Sequence, residues 1–531
     1  VEGVLVGLST GRVIARATFV ILLMGVLSKI LGLGREMAIA HQFGATGATD
    51  AYLVAYTIPT LFMGVVGGAM AVMVVPVFAE YAARGERDEA WRLFSSVLNF
   101  MALVLAGLVA LGIAAAPFIV RALAPGFSGG VEAVAVRLVM IMLPSMLFLV
   151  LGNLTMGLLN ANNVFGPPAF GPAAMNGGII LAALVLGRFY GIDGLAAGTV
   201  GGAALFILVQ APFLWRAGFR WQPVMNLRHP GAYKLMSLIM PVMVMTGVAQ
   251  GYMLIERVLA SGLPEGSIAA LNYAQKLILL PQGLFVMAMS TAIFPTLSRQ
   301  VAEGKVAEMA GTLMRGVKLV FFVAVPAGVF LMVLRLPVIT LLFQRGAFDE
   351  RAVSMTALAL LFYSVGLAGQ AVNPLLVRGF YALQDTGTPL KVTVATVLLN
   401  LLGALLLITS MRHAGLALAN SVATLGGMAA LIWLLRRRLP LAVSPFLRFC
   451  GGVIAASGLM AVLVYTGDTL LAKALGEGTP ALALRVMLDL LTGGAVYLAA
   501  SFVLQVDELR YLWDTGKGWL KSLPLIVIIR K

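Results

Sequence analysis

Residues that carry chemistry are scarce in this chain of 531 residues: it has one cysteine and three histidines, and only 11% of it is charged. A lone cysteine, Cys450, excludes an intramolecular disulfide and any multi-cysteine metal centre, and three scattered histidines make no ligand cluster. No GxxxxGKS/T phosphate loop, HExxH helix or GxSxG elbow occurs, so nucleotide hydrolysis and hydrolytic chemistry have no motif to rest on. Neither an enzyme nor ATPase machinery is expected, and no cofactor is implied.

Apolar residues dominate instead. They make up 60% of the chain, mean hydropathy is +0.99, and apolar runs of about twenty residues recur from end to end. Lipid admits only helices or closed barrels, because each backbone polar group must be satisfied internally. Continuous apolar runs, unlike the alternation of barrel strands, select helices, so the sequence predicts an all-α polytopic membrane protein. About fourteen spans are expected, near 17–40, 49–80, 93–118, 133–160, 168–187, 193–215, 235–262, 268–298, 314–336, 353–377, 390–411, 413–435, 446–467 and 483–505. Pro59, Pro76, Pro144, Pro241, Pro281 and Pro295 fall within or beside them and should bend them. Helix 1 is itself expected to serve as the targeting element.

The net charge of +15 would fit a nucleic-acid partner, but its distribution does not. Alternate loops collect about 24 Lys and Arg, from Arg12 and Arg16 through Arg436 to Arg438 and on to Lys531, against about 9 on the other side. The positive-inside rule therefore puts both termini in the cytoplasm, and the basic excess is a topology signal.

The two halves are related. Pro76, Gly85 and Glu89 are spaced like Pro295, Gly304 and Glu308; Gly126 matches Gly346, and Pro168 matches Pro389. The shared offset of about 220 residues implies two pseudo-symmetric six-helix lobes, as in transporters built from parallel repeats. The expected organisation is a cytoplasmic segment (1–16), an N-terminal lobe (17–218), a C-terminal lobe (232–438), two further helices (445–506) and a cytoplasmic tail (507–531).

Four cations sit inside these apolar stretches: Lys29, Arg35, Arg257 and Lys276. Each costs at least ~2.5 kcal/mol at mid-bilayer, so the group points to an anionic ligand. Shifting Arg35 and Glu36 by 221 lands on Glu256 and Arg257, so the lobes carry charge pairs at equivalent places. Neighbours on a helix point about 100° apart, so Arg35 and Glu36 are not expected to pair with each other. Structural ion pairs with other helices, or snorkelling by Lys276, are the competing explanation.

Around these residues the chain resembles the MurJ (MviN) family of the multidrug/oligosaccharidyl-lipid/polysaccharide exporter superfamily. The resemblance rests on Ser28-Lys29-Ile30-Leu31-Gly32 through Arg35-Glu36, Phe43-Gly44, Thr49-Asp50-Ala51, Ala124-Pro125-Gly126-Phe127, Leu159-Asn160-Ala161, Phe343 to Phe348, and Phe380 to Asp385 through Thr388-Pro389. It implies a flippase that moves lipid II, the undecaprenyl-diphosphate-linked peptidoglycan precursor, across the bacterial plasma membrane. It also implies two lobes around a cationic cavity, with the extra helix pair forming a groove for the lipid tail.

On that resemblance Arg35 is the first candidate for the diphosphate, with Lys29, Lys276 and Arg257 as further charges, Ser28 beside them, and Glu36 orienting the arginine. Gly32 and Gly34 are candidate hinges, and close helix packing would explain them equally. Glu256, Asn400 and Asn420 are candidate ligands for a coupling Na+. Two features depart from the family. Lysine stands at positions 29 and 276, where arginine is common, and helix 2 carries Leu61-Phe62-Met63-Gly64 and Gly67-Gly68 where relatives place charges. The expected partners are lipid II, membrane lipids and cell-wall synthesis proteins, with the chain itself a monomer. The alternatives are a related exporter of lipid-linked glycans or drugs, and a non-transporting cell-wall scaffold.

Overall fold

In the computed structural model, residues 2–226, 228–476 and 478–506 are described; all regular structure among them is helical. The first half runs α1 (Glu2–Phe43), α2 (Gly47–Phe62), a π-helical turn at Met63–Gly67, α3 (Gly68–Ala83), α4 (Arg87–Ala114), α5 (Ala116–Leu123), α6 (Gly129–Met142), α7 (Ser145–Ala161), α8 (Gly166–Leu184), α9 (Leu186–Leu208) and α10 (Ala211–Arg216). The second half runs α11 (Pro230–Ser261), α12 (Ser267–Ala302), α13 (Val306–Val333), α14 (Arg335–Phe343), α15 (Glu350–Val365), α16 (Leu367–Ala382), α17 (Gly387–Met411) and α18 (His413–Arg436). Two more helices follow, α19 (Val443–Leu475) and α20 (Thr479–Val503). The expected tail 507–531 lies outside the described residues.

Every expected span falls on one of these helices or on a consecutive pair. Among the described residues ten helical stretches are long and apolar enough to cross a membrane, and eleven if α15 and α16, bent by 43°, form one span. α8 falls short of that test because Pro167, Pro168, Pro172 and Asn176 dilute its apolar run.

Backbone geometry repeats with the offset seen in the sequence. Left-handed residues recur at Gly85 (φ 78°) and Gly304 (φ 74°), at Asn163 and Gln384 (both φ 59°), and at Gly191 (φ 60°) and Arg412 (φ 51°). Left-handed conformations are rare outside glycine, so three of them recurring 219 to 221 residues apart record the duplication more firmly than any side-chain match. The short helices repeat too: α5 follows α4 as α14 follows α13.

The chain divides into two compact units, one holding residues up to 269 with 345–352, the other 270–344 with 353 onward. In the first, Phe78, Trp91, Phe94 and Phe219 form an aromatic core that joins α3, α4 and the segment after α10. Small residues draw its helices together: a Cβ on Gly198 would overlap Ala182, and one on Gly157 would meet the Ala71 backbone. α11, expected to open the second lobe, packs here against α2, α3 and the π turn. In the second unit α13 and α16 pack together, α17 lies along α18, and the α19–α20 pair seats on α13, with the Tyr497 hydroxyl donating to Phe322 O at 2.7 Å.

Candidate functional site

Arg35 projects from α1 into a buried polar cluster of the first unit that α2 and α8 complete. Its Nη2 donates to Glu36 Oε1 at 2.5 Å and its Nη1 to Asn176 Oδ1 at 3.2 Å, while the guanidinium lies 5.9 Å from the centre of the Tyr56 ring. The side chains of Arg35 and Glu36 are 12% and 3% exposed. The expectation that these neighbours would not pair is therefore overturned. Their Cβ directions do diverge, but three rotatable methylenes let the arginine fold back over the acid, and burial in low-dielectric surroundings strengthens the pair.

That pairing uses only part of the guanidinium. Nε is buried and makes no hydrogen bond, a costly arrangement for a charged donor. Asn176 is the organiser that the sequence reading missed: it accepts from Arg35 and donates through Nδ2 to the Ser28 backbone oxygen at 3.2 Å, tying α8 to α1. Tyr56 was missed as well, and it stacks on Tyr52 with ring centres 5.9 Å apart; the Tyr52 hydroxyl meets Thr199 Oγ1 at 2.9 Å.

The other α1 candidates stand differently to this cluster. Ser28 contributes its carbonyl. Lys29 is half-buried, six residues before Arg35, so it lies roughly 9 Å along the axis and about 120° round the helix. Gly32 and Gly34 face α8, but a Cβ on either would stand 3.6 Å from Asn176 or Ile180, an ordinary contact. Neither glycine is required by packing, and α1 runs unbroken through both.

On α11, Glu256 accepts from the Tyr252 hydroxyl at 2.8 Å, and both Glu256 and Arg257 are 8% exposed. Arg257 lies close enough to Asp50 for their charges to interact, and its Nε is buried without a hydrogen bond. Asp50 itself was passed over as part of a signature. It caps the start of α12: Oδ2 accepts from the Gly266 N–H at 2.7 Å and Oδ1 from the Ala269 N–H at 2.8 Å.

Around that cap, neighbouring segments approach closely. Ala347 N–H donates to His41 O at 2.8 Å, Gly126 N–H to Ser261 Oγ at 3.1 Å, and Arg351 Nη2 to Glu265 O at 3.0 Å. Cβ atoms on Gly44, Gly126, Gly266 and Gly346 would strike the backbones of Ala347, Gly262, Ala45 and His41, so only glycine permits this approach. Helix 2 departs from regular winding at the glycine-rich stretch that distinguishes it: Gly64 abuts Gln250 of α11, and Gly67 abuts Asn153 of α7.

Lys276, Asn400 and Asn420 belong to the second unit, whereas the third expected ion ligand, Glu256, belongs to the first. Lys276 is half-buried nine residues into α12. Asn420 Oδ1 accepts from Gln370 Nε2 at 3.0 Å, while Asn400 Oδ1 is buried without a hydrogen bond. Two amide oxygens, one already engaged, are a weak donor set for a hard cation. Among the described residues no group of three or more His, Cys, Asp or Glu is gathered to hold a metal.

At the start of α17, Asp385 Oδ1 accepts from the Thr388 N–H at 2.9 Å and Oδ2 from the Thr388 hydroxyl at 2.6 Å, and Arg438 Nη1 pairs with Oδ2 at 2.7 Å. The hydrogen bonds from Thr388 and the charge of Arg438 hold this carboxyl below the usual carboxylate range. The geometry is that of a helix cap.

Comparison with known proteins gives one consistent answer. The family model described as "Lipid II flippase MurJ" matches residues 39–484. A protein of Burkholderia cenocepacia named "Lipid II flippase MurJ" is 32% identical over 448 residues, covering 82% of this chain and 87% of that protein. A "Probable lipid II flippase MurJ" of Buchnera aphidicola subsp. Baizongia pistaciae is 30% identical over 488 residues, covering 90% and 94%. Among solved structures, "Lipid II flippase MurJ, inward closed conformation" superposes with a TM-score of 0.79 at 26% identity, over 92% of this chain and 99% of the other. An inward-facing multidrug MATE transporter of the MOP superfamily shares the fold, with a TM-score of 0.66 at 14% identity over 79% and 97%.

Proposed function

Because the chain belongs to the MurJ family of lipid II flippases, we propose that it carries lipid II across the bacterial plasma membrane with Arg35 as the group that receives the diphosphate. Lipid II travels from the inner to the outer leaflet by alternating access. A sugar-peptide head on a diphosphate cannot cross hydrocarbon in its hydration shell, so fixed donors must replace water while the polyprenyl tail stays in lipid.

The observation that carries this reading is the half-used guanidinium. Arg35 is buried, oriented by Asn176 and backed by Tyr56, and it leaves Nε without an acceptor. A phosphate offers oxygens in the planar, two-point geometry that arginine matches. An arriving diphosphate would supply the missing acceptor at Nε and compete with Glu36 for Nη2, so Glu36 holds the arginine in place between cargoes. Lys29, Lys276 and Arg257 add positive charge along the path, Ser28 fixes α8 through Asn176, and Gly32 and Gly34 give α1 room to flex.

With the termini in the cytoplasm, the Asp50 cap and the glycine contacts around it close the periplasmic end, and outward opening must break them. An ion gradient or the membrane potential supplies the energy, with Glu256, Asn400 and Asn420 as ion ligands if Na+ is the coupling ion. The protein works as a monomer alongside cell-wall synthesis proteins.

The test is leaflet accessibility of lipid II in cells depleted of their own flippase and supplied with this chain. Arg35→Ala should abolish outward movement and Arg35→Lys should restore part of it. Normal movement by Arg35→Ala at equal expression would remove Arg35 from the path. No movement by the unaltered chain would defeat the reading as a whole, and full complementation without lipid movement would favour the scaffold.

A further inference from the structure

The α19–α20 pair, which lies outside the duplicated lobes, holds a charge cluster that substrate binding at Arg35 does not use. Arg485 Nε donates to Asp468 Oδ1 at 2.7 Å, with the two side chains 16% and 18% exposed. One turn further along α20, Asp489 is 1% exposed, and its carboxyl lies within hydrogen-bonding reach of that of Asp468. Its Oδ2 is buried and has no hydrogen-bond partner. Glycines open the space: a Cβ on Gly467 would stand 3.7 Å from Asp489 Oδ1, and one on Gly493, a turn beyond, would press on Val464.

Two constraints act on these three groups. Asp489 is ten residues into α20, about 15 Å along it, near the middle of a ~30 Å hydrocarbon layer. Two carboxylates and one guanidinium leave an uncompensated negative charge there, the arrangement that membranes tolerate least. Secondly, ionised carboxylates are acceptors only, so two carboxyls in hydrogen-bonding contact need a proton between them. The charged side chains on neighbouring elements are Arg448, Asp468 and Lys473 on α19, Glu308, Arg315 and Lys318 on α13, and Arg335 on α14. Of these only Asp468, with Arg485 from α20 itself, acts on Asp489.

We propose that Asp468 and Asp489 form a proton-binding site in which the two carboxyls share one proton and Arg485 balances the charge that remains. The bound form is neutral. Release sends the proton out past the part-exposed Asp468 and Arg485, seven residues from the end of α19, and leaves a net negative charge between the helices. Proton occupancy is thereby linked to how tightly α19 and α20 pack, independently of substrate.

Infrared spectroscopy of the purified full-length chain in lipid nanodiscs tests this through the carbonyl stretch of a protonated carboxylic acid. At pH 7 the unaltered protein should show such a band, Asp489→Asn should lose it, and Asp468→Asn should shift it by removing its hydrogen-bond partner. An Asp489→Asn spectrum that keeps the band would overturn the proposal, as would an unaltered protein with no band. Should Asp489→Asn not fold, an unshifted band in Asp468→Asn decides against it equally. A band that vanishes when Na+ replaces choline in the buffer would assign the site to a metal cation instead and likewise refute the proton. No arm requires lipid II, so failure here leaves the flippase reading untouched.

Discussion

Arg35 and Glu36, consecutive in the chain, form a 2.5 Å ion pair inside a membrane helix bundle, with Asn176 of α8 holding the far side of the guanidinium. Breaking such a pair leaves an uncompensated buried charge, at a cost of roughly 3–5 kcal/mol. Glu36→Ala should therefore lower thermal stability in detergent more than Glu36→Gln, which keeps an acceptor oxygen. Asn176→Ala should reduce lipid II movement while leaving expression near normal, because it frees the arginine without stranding it. Thermal unfolding and the leaflet assay together separate the two outcomes. Equal stability of Glu36→Ala and the unaltered chain would contradict the burial argument.

The cap that Asp50 places on α12 gives a second expectation. It accepts two backbone hydrogen bonds, and loss of both should cost about 2–3 kcal/mol. Asp50→Ala should make the adjoining loop open more often. With Cys450 first replaced by serine, a cysteine at Ala45, whose carbonyl meets Gly266, should react faster with an impermeant maleimide in the Asp50→Ala background. An unchanged labelling rate would show that the cap does not hold this end shut.

Arg412 occupies φ 51°, ψ −132°, the counterpart of Gly191 at φ 60°, ψ −145°. Such geometry costs a residue with a Cβ about 1–3 kcal/mol and costs glycine little. Arg412→Gly should hold or raise the melting temperature, whereas Gly191→Val should lower it. The opposite ordering would mean that the Arg412 side chain contributes more than its backbone loses.

Asp385 supplies the pH dependence. Its carboxyl is depressed in the folded protein by Thr388 and Arg438, so its contribution is fully present above the ordinary carboxylate value of about 3.9 and is lost as pH falls through the lower folded value. The stability difference between the unaltered chain and Asp385→Asn should stay constant from pH 8 to about pH 5 and close below about pH 4. A difference that changes between pH 6 and 8 would point to another group.

Much of this architecture was legible in the chain. Apolar runs located the spans because lipid leaves no other secondary structure open to them, and the 219 to 221 offset reappears in backbone torsions at Asn163 and Gln384 that no residue-type match revealed. The site was only partly legible. Buried cations advertise themselves by their cost, but Asn176 is one amide 141 residues from Arg35 and carries no pattern of its own. Asp50 reads as an unremarkable acid until the start of α12 is placed over it. The reading of Arg35 and Glu36 failed because helical wheels track Cβ directions and ignore the reach of a long side chain. Gly64, Gly67 and Gly68 flagged helix 2 as unusual without disclosing a change of winding.

That change of winding has a mechanical corollary. The turn at Met63–Gly67 accommodates one residue more than an α-helical turn would. Tightening it to α-helical pitch would spin everything downstream, Pro76 and Phe78 included, by about 100° about its own axis while the Tyr52 and Tyr56 end of α2 stayed still. Helix 2 thus contains a swivel, and a twist at one end need not be transmitted to the other.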